Sequence, residues 1–196
     1  HYDYWFAKDE VGTGTVTVLS MKDNLHKSYE GYVVDKKGRT GDLANRICAD
    51  LINFGHADNQ VTLNSDGENA ICDVLNENQS KRKGITLIEK SPRYEPQSNG
   101  VAERSVQSNE GLCRTLKLGL EDAYKSKISC HHKVFAWLVP HAADLLTRYV
   151  VGKDGRTGYE RIRLKKYRGE MLKFASGVYF RIPISVPEGG NMSERW

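Results

Sequence analysis

The chain has 196 residues, 39% of them hydrophobic, enough to bury one sizeable core, and a formal net charge of +4. It holds no apolar run of the length a membrane-spanning helix needs and no signal-peptide pattern, so neither a membrane nor a secreted fate is expected. In chain order, residues 1–7 predict a first strand, in which β-favouring Tyr2, Tyr4, Trp5 and Phe6 flank Asp3. Asp9 and Glu10 run straight into a turn marked by Gly12 and Gly14, which favours Asp3 as the strand-borne acid. Strands at 15–21 and 29–34 complete an antiparallel meander. Thr40 or Asp42 then caps a helix through about Gly55, with Leu43, Ile47, Leu51 and Phe54 at helical spacing. A fourth strand at 61–64 delivers Asp66, residues 68–78 form a helix with Ile71, Val74 and Leu75 inward, and a fifth strand covers 85–88.

An extended, Pro-punctuated stretch at 91–99 runs into a helix after Gly100. On it Glu103, Gln107, Glu110, Arg114 and Lys117 share one arc, and Val101, Leu112, Cys113, Leu116 and Leu120 the other. A last helix over about 133–150 packs Phe135, Leu138, Ala142, Leu145 and Leu146, with a kink expected at Pro140. Cys48, Cys72, Cys113 and Cys130 lack Cys-x-x-Cys pairing and read as reduced core residues. His131 and His132 point about 100° apart if helical, and read as a solvated helix start rather than ion ligands. Residues 151–184 carry nine Lys/Arg against three acids, whereas residues 1–150 sum to about −1. Interleaved with Tyr159, Tyr167, Phe174, Tyr179 and Phe180, this excess suits either a phosphate backbone or an ordinary solvated surface.

The order β-β-β-α-β-α-β-α predicts an α/β domain: a five-stranded mixed sheet with helices on both faces. In such sheets ligands bind at the carboxyl ends of strands near a switch in strand order, where Asp66 falls. The expected division is a core over residues 1–163 and a basic extension over 164–196, partly disordered, above all in its last dozen residues.

Asp3, Asp66 and Glu103 thus arrive from three separate elements and can converge on divalent metal. Phosphoryl transfer between nucleic-acid strands uses such a cluster, because two ions activate the attacking oxygen and stabilise the leaving one. Magnesium prefers hard oxygen ligands and keeps several waters, so a few carboxylates suffice.

These residues resemble the catalytic core of retroviral and retrotransposon integrases, which share the ribonuclease H-like fold. The resemblance covers about residues 1–165. It rests on Asp3 in the first strand, on Ser65-Asp66-Gly67-Glu68-Asn69, and most strongly on Pro96-Gln97-Ser98-Asn99-Gly100 followed by Glu103. Asp66 and Glu103 lie 37 positions apart, slightly beyond the commonest retroviral spacing, which an insertion within residues 76–84 can absorb. Thr157-Gly158-Tyr159-Glu160-Arg161 resembles a stretch closing the cores of Ty1/copia-like elements.

The resemblance implies DNA 3′-end processing and strand transfer by a fragment of a retrotransposon polyprotein. Asp3, Asp66 and Glu103 would be catalytic and metal-binding, with two Mg²⁺ or Mn²⁺ ions. Its partners would be element ends and target DNA, in a homo-oligomer located in the nucleus. DNA-contact candidates are Arg104, Gln107, Arg114, Lys117, Lys165, Lys166 and Arg168. Retroviral lysines on the Glu face are replaced here by Gln107 and Glu110. Two other readings stay open: a ribonuclease H-like nuclease that cuts without joining, and a decayed or domesticated nucleic-acid-binding module.

Overall fold

The computed structural model describes residues 1–9, 14–92 and 96–179, with the backbone alone at 96–99. Its strands are β1 (Tyr2–Lys8), β2 (Thr15–Asp23), β3 (Ser28–Val34), β4 (Val61–Ser65) and β5 (Thr86–Lys90). Its helices are α1 (Leu43–Asn53), α2 (Asn69–Lys81), α3 (Pro96–Tyr124), α4 (Phe135–Tyr149) and α5 (Gly158–Arg163). The expected elements occur in the expected order, with α5 in addition, but α3 begins at Pro96, so residues 96–99 are helical where the sequence predicts an extended stretch up to Gly100. Glu10, Gly12, Arg93–Glu95 and residues 180–196, including Phe180 and the stretch expected to be disordered, lie outside the described residues. So do the side chains of the Pro96–Asn99 motif.

The meander forms in the register Asp3↔Ser20↔Gly31, and β4 and β5 pair in parallel from Val61↔Thr86 to Ser65↔Lys90. The single five-stranded sheet expected from the sequence is corrected here. Hydrogen bonds join three antiparallel strands and, separately, two parallel ones. β1 and β4 lie side by side without a ladder among the described residues. Alternating side chains and the helices they meet were legible in the pattern, whereas ladder continuity depends on backbone spacing across that seam.

Strand alternation sorts the core into two layers. Tyr2, Tyr4, Leu19, Met21, Tyr32 and Val34 face α1 and α2, where Leu43, Ile47, Leu51, Phe54, Ile71, Val74 and Leu75 complete one cluster. Trp5 and Val18 face the other way and pack with Cys113 of α3 and Phe135, Leu138, Val139 and Ala142 of α4. Helices therefore cover both faces of the three-stranded sheet. Each large side chain buried this way contributes roughly 1.5–3 kcal/mol. α4 approaches so closely that a Cβ on Gly31 would stand 2.7 Å from Val139 Cγ1 and 2.8 Å from Asn109 Nδ2, so only glycine fits there. Three of the four cysteines are buried and all four are free thiols.

Local signals explain several helix ends. Asp42 occupies the N-cap of α1, but its carboxylate takes a hydrogen bond from the Asn45 side chain rather than from the helix backbone. α2 runs on to Lys81, so the turn before β5 is shorter than the 76–84 insertion expected. α5 opens on a capping box: Glu160 N–H donates to Thr157 Oγ1 (3.2 Å) and Thr157 N–H to Glu160 Oε2 (2.7 Å). Beyond α5, Tyr167 sits under the Arg148 guanidinium (4.5 Å) and edge-on to Tyr159 and Tyr149, holding the start of the basic segment against α4 and α5.

Candidate active site

Asp3 lies near the start of β1 on the face it shares with Trp5, towards α3, and is half-buried. Asp66 directly follows β4. Gly67, at φ +82°, turns the chain there, and Asp66 Oδ1 accepts the Glu68 N–H at 2.9 Å. Glu103 projects from the exposed side of α3, whose neighbours Ala102 and Ser105 are buried. Strand, strand end and helix thus supply one acid each.

Electrostatics tie the three together. Burial pushes the Asp3 carboxyl up to about 6, and the negative charges of Asp66 and Glu103 push in the same direction. The Tyr4 N–H and the Lys37 ammonium act against them without cancelling them. A partly dehydrated carboxylate facing two more carboxylates is a place where a divalent cation relieves repulsion, and all three donors are the hard oxygens that magnesium prefers. The residues therefore fit the group. Their oxygens are not gathered into one tight shell, however. Among the described residues, the set of three metal-capable groups within 4.8 Å of one another is Asp23, His26 and His56, on the other face of the sheet. Asp66 and Glu103 both stand at the surface, where side-chain rotation costs little.

Asp9, the competing acid, is placed elsewhere. It accepts hydrogen bonds from Ser129 Oγ (2.8 Å) and Cys130 N–H (3.0 Å) and lies 3.7 Å from Lys117. Six steps along the extended chain separate it from Asp3, a span of about 20 Å.

The basic candidates divide by their partners. Arg104 and Gln107 are exposed on the turn of α3 that carries Glu103, and Arg104 Nε donates to the Gly100 carbonyl at 3.0 Å. Arg114 is exposed and pairs with Glu110 at 2.7 Å. Lys117 is half-buried and pairs with Glu121 at 2.9 Å. The Ile128 N–H and Lys117 hold the Glu121 carboxyl at about 2. Lys165, Lys166 and Arg168 are exposed on either side of the Tyr167 anchor.

Lys37 is a residue the sequence did not single out. Its ammonium bridges to Glu68 at 2.8 Å, lies over the Phe6 and Tyr4 rings at 5.1 and 5.3 Å, and acts on Asp3 as a positive charge that favours its ionised form. In the sequence it is one of several charges in Lys36-Lys37-Gly38-Arg39, and only the return of the chain from β3 towards β1 distinguishes it.

Solved structures share this architecture. The HTLV-2 integrase catalytic core domain in complex with magnesium matches in its trimeric form with a TM-score of 0.55 at 15% identity, over 82% of this chain and 92% of that one. Its dimeric form matches with a TM-score of 0.52 at 14% identity, over 81% and 90%. The simian T-cell lymphotropic virus intasome in complex with PP2A regulatory subunit B56 gamma matches with a TM-score of 0.56 at 11% identity, over 92% of this chain but 59% of that one. The chain therefore has the mixed α/β fold of integrase catalytic cores, and at these identities the likeness is one of fold. No family model matches the chain, and no curated protein does. Among the described residues no helix is long and apolar enough to cross a membrane.

Proposed function

We propose that this chain is the catalytic core of a metal-dependent polynucleotidyl transferase of the integrase type, which processes DNA 3′ ends and joins them to target DNA for a retrotransposon. The observation that carries the reading is the raised Asp3 carboxyl, with Asp66 and Glu103 as its charged neighbours, on a fold shared with integrase cores. Asp3, Asp66 and Glu103 would hold Mg²⁺ or Mn²⁺, two ions in the working site. Bound there, the metal supplies Lewis-acid stabilisation of a phosphodiester undergoing in-line displacement.

The chain's own residues hold and aim the substrate. Asp3 sits on a strand fixed by seven register pairs with β2, which makes it the rigid member of the set. Lys37 offsets part of the charge at the mouth of the site and orients Glu68 beside it. Arg104, Gln107 and Arg114 lie along the Glu103 side of α3 and suit a DNA backbone. Lys165, Lys166 and Arg168 extend the positive surface beyond α5. Lys117 contributes least to such a surface, because Glu121 and Asp9 already offset its charge. Assembly into a homo-oligomer on DNA, in the nucleus, belongs to the same reading.

A labelled DNA end incubated with the chain and Mg²⁺ or Mn²⁺ tests it. Joined products are expected, reduced by at least about 100-fold in Asp66→Asn and in Glu103→Gln. Cleavage without joining would point to a ribonuclease H-like nuclease. DNA binding that neither metal nor these substitutions affect, without products, would reduce the chain to a binding module.

A further inference from the structure

Asp23 ends β2, His26 sits in the turn to β3, and His56 follows α1, so the end of the central strand, the turn after it and a distant helix end supply one small cluster. His26 Nδ1 lies 2.7 Å and His56 Nε2 3.0 Å from the same Asp23 oxygen, Oδ2, while the Leu25 N–H donates to Oδ1 at 3.0 Å. The two imidazole rings stand 5.1 Å apart, and all three donor atoms fall within 4.8 Å of one another. Burial alone would raise the Asp23 carboxyl, but hydrogen bonds from His56, His26 and Leu25 hold it below the usual carboxylate range.

The spacing is close to that of a first coordination shell. Tetrahedral zinc with bonds of about 2.0–2.1 Å has ligand–ligand edges of about 3.4 Å. The nitrogen–oxygen edges here, 2.7 and 3.0 Å, are those of hydrogen bonds. To hold an ion, the two rings must move outward by about 0.4–0.7 Å and turn so that both nitrogens and the oxygen face one point. The cluster also borders a cavity of about 240 Å³, lined by His1, Asn24 and Gln60 as well as Asp23 and His56. In that cavity wall the Nδ1 of His1 is buried and has no hydrogen-bond partner. The His1 ring lines this cavity without belonging to the set of donors that lie within 4.8 Å of one another.

We propose that Asp23, His26 and His56 form a binding site for a divalent transition metal of the zinc class, with the His1 ring lining the cavity on the open side. Two imidazoles and one carboxylate suit zinc or cobalt(II), and do not suit magnesium. Binding there ties the β2–β3 turn to the segment after α1 and stabilises the folded chain. The site does not depend on the function proposed for Asp3, Asp66 and Glu103.

Cobalt(II) titration of the purified chain, followed by zinc competition, tests the proposal. One equivalent of Co²⁺ is expected to give the visible bands of a four-coordinate ion, which Zn²⁺ removes. The bands should be lost in His26→Gln and in His56→Gln but retained in the Asp66→Asn, Glu103→Gln double variant. Because the His56 change touches a buried residue, the imidazole ¹⁵N resonances of the unaltered chain provide a reading free of folding effects. One equivalent of Zn²⁺ should move His26 Nδ1 and His56 Nε2. Unmoved nitrogens, or cobalt bands that persist in both histidine variants, would overturn the assignment.

Discussion

Asp3 and Asp23 stand on neighbouring strands of one sheet, and their carboxyl groups are displaced in opposite directions, Asp3 upward to about 6 and Asp23 downward. Burial opposes ionisation at both. The difference lies in what surrounds them: Asp23 collects two imidazoles and two backbone N–H groups, whereas Asp3 faces Asp66 and Glu103, with Lys37 as a partial counter-charge. A carboxylate matched by donors holds a fold together. One that faces other carboxylates leaves negative charge uncompensated, and such a place is suited to a cation supplied from outside.

The contrast is sharpest in the effect of removing a neighbour. Asp66→Asn or Glu103→Gln should abolish joining by at least about 100-fold while leaving unfolding by urea almost unchanged. His56→Ala in metal-free buffer should do the reverse, costing about 1–3 kcal/mol of stability because a buried carboxylate loses a donor. Equal stability losses in both classes of variant would erase the distinction.

The pH dependence separates the two acids next. Between about pH 4 and 6 the folded chain keeps the Asp3 proton that the unfolded chain has released, so this group's contribution to stability falls as pH rises through that window and is level above it. Asp23 contributes in the opposite sense: its stabilisation is present above the ordinary carboxylate range and is lost as pH falls through its lowered folded value. Unfolding free energies of Asp3→Asn and Asp23→Asn across pH 3–7 should each lack one of these slopes. Thr157→Ala, at a cap remote from both, should cost about 1 kcal/mol by urea unfolding at neutral pH, and less in acid, because hydrogen bonds with Thr157 hold the Glu160 carboxyl below its ordinary value. The smallest effect is expected for Asp66→Asn itself, a gain in stability of under about 1 kcal/mol at neutral pH, because the charge removed stands at the surface.

Much of this was legible in the sequence, for identifiable reasons. Leu43, Ile47, Leu51 and Phe54 repeat at helical spacing, and β-favouring Tyr2, Tyr4, Trp5 and Phe6 marked the strand that carries Asp3. The α5 helix was overlooked although Thr157-x-x-Glu160 spells a capping box, since the six-residue element is too short for periodicity to register. The split between the three- and two-stranded sheets had no local signal, because pairing across β1 and β4 is a matter of spacing between segments more than fifty residues apart. Asp23 and His26 lie three apart in an ordinary turn, and His56 follows thirty residues later. Only the fold brings them together, as it brings Lys37 to Asp3.

The most direct measurement is the titration of the Asp3 side-chain carboxyl carbon by NMR, with and without Mg²⁺. A midpoint near 6 without metal is predicted, falling towards the ordinary carboxylate value in Asp66→Asn and Glu103→Gln and on adding Mg²⁺. An Asp3 that titrates in the ordinary carboxylate range and responds to neither substitution nor metal would contradict a cation-binding cluster of these three acids.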